Sequence, residues 1–577
     1  MQRREFMRWA GAGVAALSLP SALTAGDRNP RAGVKPPNIV FVVSDDQNPA
    51  YLSCYGGRTP TPHLDRLAEE GALFTSAHAA TTLCGPTRYN LLTGRFAGRN
   101  ARMISHTKPG EACVVLQDAR LTTDDPSIGE MLHQAGYFTG FVGKWHSNFE
   151  VQAVTGEKLP GVPKNPDAPG ANAQLAERER VLSKLVRTAG RFDYASRIVF
   201  GNNHGRWPIT HHPEWITDGA IDFIEKAKET GKPFFVHVAH TIPHAPNNCE
   251  VLEVDPRYTL GGKLDEPPKS HPPRETIPTR LKAAGLPVSS AQVGALMLDD
   301  SVGAILKTLE RLDLDRDTLV VFAQDHGMLG KGSCYSGGTH SACVMRWPAG
   351  IKPGTVVREN VSFVDFVPTF LDMAGARPPA GCRPDGVSFL PALQGRAFSR
   401  GAIYTELGVA RSVVKGKYRY IAFRPTPSHI ARMKDGKVKA ALDTWGRLRG
   451  GDNQWYIPYK PAFFDPDQLY DREKDPLERN NLAGDPAHAE VLADLKAELK
   501  KYLDTMPTPF PLEVDPFVRT GKYAELVKAR RQSCNYGNYW PGYPKLDWER
   551  YLNLNLKSPE EVDPSHRSCW HPREKGR

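Results

Sequence analysis

Past its first few residues the sequence has no apolar run approaching the roughly 20 residues that a membrane-spanning helix needs. Its mean hydropathy is −0.44, and a multipass membrane protein is excluded. None of its nine cysteines stands in a C-x-x-C pair, so a structural zinc site is not expected. Zinc-finger spacing, an RNP-like aromatic signature and a dense Lys/Arg block are all missing, which removes the common nucleic-acid modules. There is no internal repeat. The apolar fraction (40 %) and charged fraction (24 %) are ordinary, which excludes a disordered chain, a collagen and a coiled coil.

What is present is a chain of 577 residues, long enough for a large core. Lys and Arg number 74 against 64 Asp and Glu, a net charge of +10. That balance favours anionic partners such as sulfated or phosphorylated molecules, and a generically basic surface explains it equally well. Residues 1–26 read as an export signal. Arg3, Arg4 and Arg8 precede an apolar stretch over residues 9–19, and Ser21, Ala22, Thr24 and Ala25 suit cleavage. Arg3-Arg4-Glu5-Phe6-Met7 fits the twin-arginine pattern, which predicts a bacterial protein exported by the twin-arginine translocase to the periplasm or beyond.

The body of the chain alternates apolar runs with helical periodicity. Strands are expected at Asn38–Val43, Tyr137–Val142, Pro233–Ala239 and Thr318–Ala323. Helices are expected at Pro62–Ala72, Pro126–Ala135, Glu214–Lys228 and Ser290–Leu312. Such alternation predicts an α/β fold, a mostly parallel mixed sheet sandwiched by helices. Ligands of these sheets bind outside the carboxyl ends of the strands, where Asp45-Asp46 and Asp325-His326 fall. The domain reading is a catalytic domain over 36–397, a C-terminal α+β subdomain over 398–515 with a helix at Ala487–Leu503, and an extension over 516–577. The stretch 152–207 is polar, poorly patterned and taken as an insertion.

Chemistry gathers at Cys84. Pro86 suits a first helical turn, which puts Cys84 at a helix N-terminus that favours an anion, with Arg88 one turn on. By itself this is a nucleophile, an anion-binding corner or a buried cysteine. The run CGPTRYNLLTGR over residues 84–95, and GYFTGFVGKWH over 136–146, resemble the two signatures of the type I, formylglycine-dependent sulfatases of the alkaline phosphatase-like superfamily. The likeness extends from Pro37 to about Leu503, including Gln468-Leu469-Tyr470-Asp471 and Asp475-Pro476 through Asn481-Leu482.

This resemblance implies a sulfuric ester hydrolase. It implies that a formylglycine-generating enzyme converts Cys84 to formylglycine. Asp45, Asp46, Asp325, His326 and the modified Cys84 would hold a divalent cation. An oxygen-rich set suits Ca²⁺, with Mg²⁺ second. It makes Arg88, Lys144, His146, His244 and Lys331 catalytic. The hydrated aldehyde attacks sulfur with Asp325 as base, Lys144 and Lys331 meet the sulfate charge, and Arg88 holds the diol and carboxylates. His244 with Lys331 protonates the leaving group, and His146 takes the proton that lets sulfate leave. The expected substrate is a sulfated glycan or a small aryl sulfate. A phosphonate or phosphodiester hydrolase, an N-sulfamidase and a non-enzymatic binder of sulfated glycans are the alternatives. His204, Arg206, His211 and His212 are candidate sugar contacts, and Tyr536, Tyr539, Trp540, Tyr543 and Trp548 form an aromatic cluster in the tail.

Overall fold

The computed structural model describes residues 35–202, 209–435 and 460–533; residues 1–26, read above as an export signal, lie outside them. Strand β1 (Asn38–Asp45) is buried along its whole length. Its side chains divide by parity: Ile39, Phe41 and Val43 enter one core, Val40 and Val42 the other. A two-residue period with both sets apolar is what a strand covered on both faces requires.

Seven further strands complete the sheet: β2 (Ala72–Phe74), β3 (Phe138–Lys144), β4 (Tyr194–Val199), β5 (Phe234–Pro243), β6 (Thr318–Gln324), β7 (Cys343–Arg346) and β8 (Thr355–Val357). Their spatial order is β8-β2-β7-β6-β1-β5-β3-β4. The run from β6 to β4 is parallel, and β7 is antiparallel to both of its neighbours. This is the mostly parallel mixed sheet that the alternation predicts. Helices α1 (Pro62–Glu69), α2 (Cys84–Thr93), α3 (Ile128–Gln134), α4 (Ala171–Gly190), α5 (Pro213–Thr230), α6 (Ser290–Arg311) and α7 (Phe366–Met373) cover it. The Val40 face takes α1, α5 and α6, and the Ile39 face takes α2, α3, α4 and α7.

One boundary needs correction. The first helix ends at Glu69, not Ala72, and Ala72 opens β2. Gly71 marks the change, because a Cβ there would lie 1.9 Å from the Met345 carbonyl oxygen. The poorly patterned stretch taken as an insertion, 152–207, carries regular structure. It supplies α4 and the edge strand β4, paired with β3. Helix α4 hides its pattern under charge, burying Leu175, Leu182, Leu185 and Ala189 beneath an arginine- and glutamate-rich face. In β4 only Ile198 and Val199 are buried, and Arg197 interrupts the run at φ 55°.

The C-terminal part is a four-stranded antiparallel sheet: β9 (Ile403–Leu407), β10 (Ala410–Lys415), β11 (Tyr418–Phe423) and β12 (Asp467–Asp471). Leu495, Leu499 and Leu503, spaced by one helical turn on α8 (Ala489–Leu503), pack on Val413, Tyr420 and Ala422 of this sheet. Ile421 and Tyr470 instead meet Leu83, Cys334 and Tyr335, the residues beside Cys84 and Lys331. The first part of the extension adds a helix over Gly521–Ser533, whose Tyr523 joins that second cluster.

His237 sits in the core of the sheet, its ring stacked on Phe141 at 5.0 Å and edge-on to Phe41 at 5.1 Å. Burial, with Arg88 adding, pushes its pKa down to about 3. An unfolded histidine titrates near about 6.5, so below that pH the unfolded chain takes up a proton that folded His237 refuses. The contribution is complete above pH ~6.5 and is lost as the pH falls, at about 1.4 kcal/mol per unit. A His237→Phe variant is therefore expected to lose less stability than wild type between pH 6.5 and 4.5. Urea unfolding at three pH values measures the difference in slope; parallel pH dependences would refute it.

Candidate active site

The site forms at the carboxyl ends of β1, β3, β5 and β6, closed by the N-terminus of α2. The chain is bent there deliberately. The β1–β5 register shifts between Val43 and Asp45, and the β3–β4 register shifts between Val142 and Lys144. Such bulges re-aim the side chains that follow. Gly143 makes the second shift feasible: its φ is +95° and a Cβ would lie 2.0 Å from the Ala239 carbonyl oxygen. Asp46, the residue just past β1, and His146, two past the end of β3, hold φ of 60° and 43°. Such conformations are costly for non-glycine residues and gather at functional sites.

Cys84 opens α2, with Leu83 as an extended N-cap. Its sulfur lies 3.4 Å from Asp45 Oδ1 and 3.5 Å from His326 Nε2. Carboxylates lie beside it. Oxygens of Asp45, Asp46 and Asp325 lie within 4.8 Å of one another, and Asp46, Cys84 and His326 form a second group of the same size. The Asp46 amide donates to Asp325 Oδ1 at 3.1 Å. Burial pushes the Asp325 carboxyl well up; His326 opposes the rise and the charges of Asp45 and Cys84 add to it. For His326, burial opposes charge, but Asp325 and Cys84 raise its pKa to about 9. Three buried, mutually repelling carboxylates with one imidazole are a donor set that a divalent cation resolves. The residues present fit such an ion.

Cations pair with these carboxylates. Lys144 Nζ donates to Asp45 Oδ2 and, at 2.7 Å, to Asn202 Oδ1. Lys331 Nζ donates to both Asp46 oxygens at 2.8 and 2.7 Å. Arg88 Nη2 lies 3.5 Å from Asp325 Oδ2 and 3.7 Å from Asp45 Oδ1. His244 Nε2 lies 3.5 Å from Asp46 Oδ2, and its Nδ1 donates to the Ala245 carbonyl at 2.9 Å. Burial alone would raise the Cys84 thiol, yet Lys331, Lys144 and hydrogen bonds from His146 and His244 bring it well below the ordinary value. The position of the sulfur is thus one where negative charge is stabilised. Asp45 is raised by burial and by Cys84, but Lys144, His244 and Arg88 outweigh both and hold it below the ordinary carboxylate range. Burial takes His146 down to about 4, so its ring is neutral. His146, His244 and Asn202 are only partly buried, and they mark the open side.

All ten residues singled out by sequence are brought together: Asp45, Asp46, Cys84, Arg88, Lys144, His146, His244, Asp325, His326 and Lys331. Asn202 was missed, because it follows the unrecognised strand β4. Of the candidate sugar contacts, His211 and His212 turn inward. His211 bonds Thr241 and Pro246, and His212 faces Arg274. His204, Arg206 and the tail aromatics Tyr536, Tyr539, Trp540, Tyr543 and Trp548 lie outside the described residues.

A family model described as Sulfatase matches residues 37–376. The chain is 28 % identical over 556 residues to steryl-sulfatase of Mus musculus, covering 85 % of this chain and 86 % of that protein. It is 26 % identical over 537 residues to N-acetylgalactosamine-6-O-sulfatase of Bacteroides thetaiotaomicron, covering 80 % and 92 %. Its fold is similar to a solved structure in complex with its substrate D-glucosamine-2-N,6-O-disulfate, with a TM-score of 0.53 and 21 % identity over 82 % of this chain and 98 % of that one.

Proposed function

The chain belongs to the sulfatase family and is a sulfuric ester hydrolase, and from that premise we propose that it removes sulfate from a sulfated carbohydrate at the centre around Cys84. The observation that carries the assignment is the set of groups gathered about that residue: three buried carboxylates with His326, and Lys144 and Lys331 paired to Asp45 and Asp46, with His146 and His244 beside the sulfur. A carbohydrate substrate is supported by the relative named for N-acetylgalactosamine and by the fold neighbour holding a sulfated glucosamine. The net charge of +10 suits an anionic partner. The Arg3-Arg4 signal supports export to the periplasm or beyond. Among the described residues no helix is long and apolar enough to cross a membrane.

Asp45, Asp46, Asp325 and His326 would hold the divalent cation, Ca²⁺ first and Mg²⁺ second, which supplies Lewis-acid polarisation of the sulfate oxygens. Cys84, once converted to formylglycine, supplies geminal hydroxyls where a thiol stands in this structure. The remaining work falls to side chains. Lys144 and Lys331 place fixed positive charge where the sulfate oxygens gain negative charge, in a site nearly closed to water. Arg88 keeps the carboxylates of Asp45 and Asp325 in one orientation. Asp325 takes the proton of the attacking hydroxyl. His244 Nε2, on the open side, gives a proton to the leaving oxygen, with Lys331 beside it. Neutral His146 takes up the proton whose removal frees the sulfate.

The test is sulfate release from a panel of sulfated glycans and aryl sulfates, by protein co-expressed with a formylglycine-generating enzyme. Release on at least one glycan is expected. EDTA should lower it by about 100-fold or more, since metal polarisation supplies several kcal/mol, and Ca²⁺ should restore it. Phosphate release from a phosphodiester with no sulfate release from any substrate would overturn the proposal.

A further inference from the structure

His211 is buried, 1 % exposed, in the segment that leads into α5. Both of its ring nitrogens are used. Nδ1 lies 2.9 Å from Thr241 Oγ1, and Nε2 lies 3.1 Å from the carbonyl oxygen of Pro246. A carbonyl only accepts, so Nε2 carries the hydrogen and Nδ1 accepts from the threonine hydroxyl. Burial takes the ring down to about pKa 4, which keeps this neutral form in place. Thr241, near the end of β5, and Pro246, three residues beyond it, flank the turn that holds His244. The imidazole therefore ties that turn together from behind, while His244 points forward, its Nε2 3.5 Å from Asp46 Oδ2. From the far side Asn248 Nδ2 donates to the Pro243 carbonyl at 2.9 Å. His211 is the histidine that grips both ends.

We propose that His211 is a positioning residue for His244: by spanning Thr241 and Pro246 it fixes the place from which His244 Nε2 gives its proton to the leaving oxygen. The inference rests on the sulfatase reading given above. It makes a prediction that a purely structural role does not. Protonation of the leaving oxygen matters most when that oxygen is strongly basic and hardly at all when it leaves readily as an anion. Displacing His244 therefore harms poor leaving groups selectively.

The probes are substituted phenyl sulfates, from 4-nitrophenyl sulfate to unsubstituted phenyl sulfate, assayed with the matured full-length enzyme. For His211→Ala, kcat is expected to fall about 2-fold with 4-nitrophenyl sulfate and about 100-fold with phenyl sulfate, the size of a general-acid contribution. Plotted against leaving-group basicity, kcat/KM of the variant has the steeper slope. His211→Gln, whose amide can still donate to Pro246, should recover at least half of the lost slope. Thr241→Val, which removes one of the two bonds, should move in the same direction by less, and it serves if His211→Ala fails to fold. Equal losses across the series, or no change in slope in any folded variant, overturn the role of His211 alone. Absence of sulfate release by wild type on every member of the series and on every glycan of the panel above overturns the sulfatase reading and this inference with it.

Discussion

A Cys84→Ala enzyme is expected to lose sulfate release by about 10⁴-fold or more, the scale seen when a nucleophile is removed from a preorganised site. The change should leave the fold standing. Thr87 N still bonds the Leu83 carbonyl at 3.0 Å, and α2 still packs through Leu91 and Leu92. Cys84→Ser separates two explanations of that loss. A serine hydroxyl can be sulfated, but its carbon bears no second hydroxyl from which a proton can be drawn to expel the sulfate. One equivalent of alcohol should appear, followed by arrest. Rapid-quench assays with intact-protein mass spectrometry read both features. Continued turnover by either variant at wild-type rate would remove Cys84 from the mechanism.

The second large effect is expected at Arg419. This side chain and Glu478 have no exposed surface and meet at 2.7 Å. Arg419 also donates to the Cys334 carbonyl at 2.6 Å and to Thr339 Oγ1 at 2.9 Å. Glu478 accepts from the backbone and hydroxyl of Ser336, both at 2.7 Å. The C-terminal sheet thus grips the loop that carries Lys331. Arg419→Met would leave a buried carboxylate without its main partner, at a cost of about 3–5 kcal/mol. Lys460, 3.9 Å from Glu478, covers part of that loss. Denaturant unfolding should show the destabilisation, and kcat/KM should fall with it. The double variant Arg419→Met/Glu478→Leu should regain most of the stability, because a buried pair is often replaceable by apolar residues of similar volume. A single variant as stable as wild type would show that the pair does not brace the two halves.

The sheet, the Asp45-Asp46 and Asp325-His326 strand ends and the Cys84–Arg88 corner were legible because their signals are local, whereas Lys144, His146, His244 and Lys331 were picked out only by the resemblance to the sulfatase signatures. A doubly buried strand such as Asn38–Asp45 shows as an apolar run with a polar end. In a parallel sheet that end is where ligands bind. Cys84, Pro86 and Arg88 declare a helix start within five residues. What escaped was set by distant partners. Asn202 matters because Lys144 reaches it. His211 looked like a surface ligand until Thr241 and Pro246 were seen on either side of its ring. Glu478 lies 142 residues from Ser336, and no spacing rule joins them. Helix α4 was obscured for a different reason: a run of charged residues, Glu177 to Arg180, with Lys184 and Arg187, interrupts its apolar stripe.

The burial of Cys84 sets an order of events. Every residue of α2 is buried, and Cys84 itself has no exposed surface. Under the formylglycine maturation proposed above, the oxidising enzyme must bind the stretch around residue 84 as open chain, before β1, β3 and β6 close over it and before the C-terminal sheet settles against Leu83. On that proposal oxidation competes with folding, and a molecule that folds first keeps its thiol. With the twin-arginine route proposed above, which carries folded cargo, the contest is decided in the compartment of synthesis. The fraction of active enzyme then depends on how much oxidising enzyme is present while the chain is being made, and none can be added after export.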